Sequence, residues 1–223
     1  MESAKPHLSK KSAIIVFFIL FYAVWVLHEF FGKPFLDSIF QNEHAVGLFG
    51  QIVTKNLVWT LPALLLVKRY NSEMRVRFKE MFTTKFKVLP LIGILLLIAA
   101  YFTISAYRQH GNLQIKESFG IYYIILYIFT GITEETVYRG WLLNATYTEE
   151  HQYRALLQNT LMFLVIHFPI WIMKGEFLGM ITSFSFIFLM MLSLLFSWLF
   201  LKYKNILPAI IVHAFWDIMT QVF

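Results

Sequence analysis

The chain has 223 residues, of which 58% are hydrophobic and 14% charged, with a mean hydropathy of +0.63. Soluble domains carry about 25% charged residues, so the composition excludes an ordinary soluble protein and predicts an all-α polytopic membrane protein, one transmembrane domain over residues 1–223. The absence of cysteine removes disulfides, thiolate metal sites and a cysteine nucleophile, and the net charge of +6 is not laid out as a basic stripe interleaved with aromatics, which excludes nucleic acid as a partner.

Seven apolar stretches follow in order, at 12–27, 45–67, 88–106, 119–143, 155–173, 178–201 and 206–223, so that about seven spans, between six and eight, surround a polar intramembrane cavity. Most approach the roughly 20 residues that a spanning helix needs. The first resembles a signal-peptide start after Lys5, Lys10 and Lys11, but no small-residue cleavage site follows it, and it reads as an uncleaved span. The longest polar connection, 68–87, mixes basic residues with Met74, Val76, Phe78, Met81 and Phe82. It reads equally as a surface helix on an anionic leaflet or as a solvated loop. With the N-terminus inside, the cytoplasmic segments hold Lys5, Lys10 and Lys11, the basic residues of 68–87, Arg139, Arg154, Lys202 and Lys204. The other side keeps only Lys33, Arg108, Lys116 and Lys174, and Lys55 falls within a span. The bias predicts a cytoplasmic N-terminus and an external C-terminus in the cell membrane. Small residues four apart, Gly175/Gly179 and Ser193/Ser197, predict close helix packing.

The fourth stretch carries the chemistry. Glu134, Glu135 and Arg139 stand in an otherwise apolar helix, and each charge there costs roughly 2.5–3.5 kcal/mol or more. Glu135 and Arg139 are i,i+4 neighbours and can pair; Glu134 points about 100° away and is left for chemistry. His167 and His213 also lie inside apolar runs, and Asp217 is i+4 from His213. A rise of 1.5 Å per residue puts Glu134, His167, His213 and Asp217 at similar depth, roughly 10–18 Å from the cytoplasmic ends of their helices. A desolvated carboxylate suits a general base for water, and a histidine with a hydrogen-bonding neighbour can stabilise an oxyanion. That set describes amide or ester hydrolysis. The same groups can instead bind Zn2+ through His167, His213 and Glu134 or Asp217, with an open position for water.

Glu134-Glu135-Thr136-Val137-Tyr138-Arg139 resembles the EExxxR motif of the CPBP (CAAX protease and bacteriocin-processing, or Abi) intramembrane proteases; Phe163-Leu164-Val165-Ile166-His167 resembles their FxxxH motif, and His213-Ala214-Phe215-Trp216-Asp217 their HxxxN/D motif. The three occur in the family's order, each on its own apolar segment, with a family-like core at about 119–223. The resemblance implies an intramembrane endopeptidase acting on a membrane-associated peptide or protein within the lipid bilayer. It makes Glu134 the base that activates water, His167 its partner, His213 and Asp217 the oxyanion side, and Glu135 and Arg139 supports. Both a metalloprotease and a metal-free, glutamate-dependent mechanism go with the family; the residues favour the version that needs no cofactor, because carboxylate and histidine suffice for water activation and no short-spaced ligand pair such as HExxH appears, with Zn2+ as the alternative. Position 217 is Asp, where eukaryotic prenyl-protein proteases have Asn, so Asp217 must be protonated, orient His213 or bind metal. The signatures HExxH, GxSG and GxGD are missing. Two other readings stand beside the enzyme: a bacteriocin self-immunity or scaffold protein acting by binding, and a small proton-coupled transporter.

Overall fold

The computed structural model describes residues 8–223; Lys5 and the first residues of the expected cytoplasmic N-terminus lie outside them. Among the described residues every regular element is helical. Seven long helices run α1 Lys10–Phe40, α2 Glu43–Arg69, α3 Val88–His110, α4 121–146, α5 Gln152–Met173, α6 Ser185–Tyr203 and α7 Leu207–Val222. Five of them, α1, α2, α3, α5 and α6, are long and apolar enough to cross a membrane. The helix that carries the charged motif is not one of the five, and α7 is shorter.

The helix ends follow from local chemistry. The Ser9 side chain caps α1 by accepting from the Ser12 N–H, and Asn42 caps α2 through Ala45 N–H. Gly111, at φ +71°, ends α3 in the left-handed conformation that costs glycine least. The sixth apolar stretch, expected as one span, is divided. Phe177–Thr182 forms a short helix, Phe184 adopts φ +58°, and α6 starts only at Ser185. The helices also contain wide π-type turns at His28–Gly32, Phe49–Thr54, Asn56–Thr60 and Thr136–Leu143. Such turns are rare and concentrate at functional sites.

Segment 68–87 is neither a surface helix nor a solvated loop. It folds back under the bundle with Val76 and Met81 fully buried and Met74 nearly so. Asn144 at the end of α4 clamps it, accepting from Val76 N–H at 2.7 Å and donating to Val76 O at 2.8 Å. Met81 O accepts from Ile206 N–H, and Thr84 O from Asn205 Nδ2. Lys10 Nζ reaches Glu73 O at 3.0 Å. The start of α1, segment 68–87, the 144–154 connection and the 202–206 connection thus form one end of the bundle. The opposite end gathers Lys116, whose N–H donates to Val222 O, and His44 stacked on Tyr122. Arg139, counted among cytoplasmic charges from the sequence, belongs to neither end: it is fully buried in the interior.

The seam between α4 and α7 positions the site. A Cβ at Gly131 would lie 3.0 Å from Ile210 O and 3.4 Å from Ala214 Cβ. Only a residue without a side chain lets the two backbones close to that distance.

Candidate active site

At the inner layer, Glu135 and Arg139 are both completely buried. Arg139 Nη1 donates to Glu135 Oε1 at 3.0 Å, and Nη2 donates at 2.8 Å to both the backbone O and the Oγ of Ser193 on α6. The guanidinium also lies over Phe163 at 4.6 Å and Phe196 at 5.3 Å. Ser193 is therefore an acceptor for the buried cation rather than a packing notch, and Ser197 and Asn159 extend the same chain of bonds. Gly175 and Gly179 face open space instead of another helix. Glu135 Oε1 accepts a second bond, from His213 Nδ1 at 2.7 Å, and the His213 ring stacks on Phe196 at 4.7 Å. Arg139, Glu135 and His213 thus form one buried relay that joins α6, α4 and α7.

Above that layer a cavity of about 440 Å3 opens, a size typical of ligand sites. Glu134, His167, His213 and Asp217 all line it; Glu135 and Arg139 do not. His213 Nε2 lies 3.4 Å from Asp217 Oδ2 and 3.9 Å from Glu134 Oε2. With Nδ1–H committed to Glu135, a proton must sit on the His213–Asp217 edge, because two lone pairs facing each other at that distance repel. Glu134 Oε2 is buried without a hydrogen-bond partner. Glu134 Oε1 faces Lys55 Nζ at 3.8 Å, and the ammonium is held over the rings of Trp25 and Trp59 at 4.7 and 4.8 Å.

Proline sets the place of His167. Pro169 cannot donate to the carbonyl four residues earlier and its ring crowds that carbonyl, so α5 breaks just before it. There His167 N–H turns to Leu164 O at 3.1 Å. The Phe163 carbonyl, released from the helical ladder, accepts from His167 Nδ1 at 2.9 Å. That bond fixes the ring and leaves Nε2 with its lone pair. Trp25 Nε1 donates to Ile166 O at 2.8 Å and ties α1 to the same break.

All six residues singled out in the sequence therefore meet within one site, four on the cavity wall and two beneath it. Three features escaped the sequence reading. Glu135, not Asp217, holds His213 through Nδ1. Lys55 and Trp25, from the first two helices, complete the wall, and Trp216 also lines it. Lys55 carried a signal, since a lysine inside an apolar span is itself an intramembrane charge. Nδ1 of both histidines is hydrogen-bonded, which leaves Nε2 as the ring nitrogen available to the cavity; among the described residues no three His, Cys, Asp or Glu side chains are grouped to hold a metal ion.

A protein-family comparison matches residues 116–219 to the family described as Type II CAAX prenyl endopeptidase Rce1-like. Searches of curated proteins and of solved structures returned no match. The matched region contains every motif residue named above.

Proposed function

We propose, for a chain whose residues 116–219 are a domain of the CPBP family, that Glu134 activates the water which cleaves a peptide bond inside this cavity. The domain makes the protein a membrane-located protease, a hydrolase of peptide bonds. Proteases of this family depend on glutamate and require no cofactor. One observation carries the assignment to Glu134: of the two adjacent glutamates, only Glu134 reaches the cavity, and its Oε2 there has no hydrogen-bond partner.

In this reading a water bridges Glu134 and His167 Nε2. Glu134 takes its proton as the hydroxide oxygen bonds to the scissile carbonyl carbon. The carbonyl oxygen becomes an oxyanion and is met by the proton held between His213 and Asp217. Collapse of the tetrahedral intermediate breaks the C–N bond, and the proton on Glu134 passes to the departing amine. One product ends in a carboxylate and the other in an amine. Glu135 and Arg139 act through His213: they keep Nδ1–H engaged, so the proton available to the oxyanion stays on the cavity side. The N-terminal end of α1 is assigned to the cytoplasm and Phe223 to the outside, and residues 119–223 to the catalytic core with Trp25 and Lys55 as added wall.

The test separates the two glutamates. Glu134→Gln preserves shape and removes the base, so hydrolysis of a membrane peptide should fall about 100- to 10,000-fold with normal expression. Glu135→Gln weakens a buried network and should lower folding yield as well as activity. Pure activity loss with Glu135→Gln, and lost expression with Glu134→Gln, would reverse the assignment. Equal function of wild type and Glu134→Ala in protecting a sensitive cell would point to a role in binding instead.

A further inference from the structure

The exposed residues of the cavity lining are Lys33, Lys174 and Thr220. The deepest wall is Glu134, His213 and Phe163, the last 1% exposed. Beneath them Tyr138, Arg139, Trp141, Leu142 and Leu143 are all fully buried, and Asn144 then ties α4 to the packed segment 68–87. None of the exposed lining residues lies toward that end. In the other direction the lining passes through Thr130, half-buried Tyr127 and Tyr122 to Lys33, Lys174 and Thr220, which are exposed. Thr220 stands near the α7 terminus, where Lys116 Nζ of the 111–120 connection binds its carbonyl.

The sealed end is also the basic one. It carries Lys10, Lys11 and the basic residues of 68–87 with Arg154, Lys202 and Lys204, whereas the open end carries Lys33, Arg108, Lys116 and Lys174. Lysine and arginine mark the cytoplasmic side of a membrane protein. Together, charge and cavity shape give an access direction.

We propose that the cavity is loaded from the non-cytoplasmic side, by a peptide segment that reaches Glu134 from the outer leaflet. The substrate is then a peptide segment presented at the outer face of the membrane. A lipid-modified carboxyl terminus presented at the cytoplasmic leaflet would meet the sealed end. The proposal deepens the protease reading and rests on it for the word substrate, but its geometry is tested without any hydrolysis.

The natural absence of cysteine provides the test. Single cysteines are placed at Thr220 on the mouth, at Thr130 deeper in the cavity, and at Lys79 on the basic end, and intact cells are treated with a small, charged, membrane-impermeant methanethiosulfonate reagent. Thr220→Cys and Thr130→Cys should react in intact cells as fully as after permeabilisation, and Lys79→Cys only after permeabilisation. Reaction of Thr130→Cys only from the cytoplasmic side, or from neither side, overturns the proposal. Thr220 is exposed, so Thr220→Cys keeps the orientation readable even if the deeper variant fails to fold. Because labelling needs no catalysis, loss of the protease assignment through Glu134→Gln would leave this result standing, and the reverse.

Discussion

Arg139 shows how a full charge is held in an apolar helix. Its two terminal nitrogens are satisfied by Glu135 and Ser193, and its faces by two aromatic rings. Removing one partner of such a pair costs about 3–5 kcal/mol because the other is left buried and uncompensated, so the residue is a support whose loss reads first as lost protein. Asp217 is different, being partly exposed and aimed at the cavity. It contributes a proton-sharing edge with His213 at 3.4 Å. On the proposed mechanism, Asn presents an N–H donor in the same place, so Asp217→Asn should keep most of the hydrolysis rate, within about tenfold, while Asp217→Leu should fall by about 100-fold or more, the cost expected for one lost oxyanion donor. Initial rates on one membrane peptide decide this. An Asn variant as dead as the Leu variant would mean that the carboxylate charge itself is required.

At the scale of helices, two residues do more than propensity suggests. Gly131 brings α7 within bonding distance of α4. Pro169 interrupts α5 and thereby hands the Phe163 carbonyl to His167. An interior proline costs about 3 kcal/mol, so Pro169→Ala should leave thermal stability in detergent unchanged or higher. The repaired ladder would return Phe163 O to the backbone N–H of His167, free the ring, and lower kcat about tenfold or more through lost positioning. Unchanged kcat would show that His167 does not need this anchor. Here the sequence was legible in part. The i,i+4 spacing predicted the Glu135–Arg139 pair and its separation from Glu134, because that geometry is local. The Glu135–His213 bond was not legible, since it joins positions 78 residues apart. The π-type turns, which shift every contact after them, leave no mark in hydrophobic periodicity.

Across the whole molecule, each of the seven apolar stretches carries a helix, five of them long and apolar enough to cross a membrane and the sixth stretch divided at Phe184, because span length is set by the bilayer and written in composition. The burial of 68–87 was hidden: its apolar residues satisfy a surface-helix pattern equally well, and only Asn144, far along the chain, draws them inward. The packed basic end and the Lys116–Val222 end give the bundle two unlike poles. A reporter fused after Phe223 should therefore be active outside the cytoplasm, and one inserted at Lys79 inside it. A cytoplasmic signal after Phe223 would mean that one long helix fails to cross.

The weak apolarity of α4 bears on how the protein is made. Five helices can enter a bilayer on their own composition, but the one holding Glu134, Glu135 and Arg139 is not among them, and its partner α7 is short. During synthesis α4 emerges before Ser193 and His213 exist to satisfy its charges. Those charges gain their partners only once α6 and α7 have been made. The cavity wall is therefore complete only when the last helix, which brings His213 and Asp217, is in place.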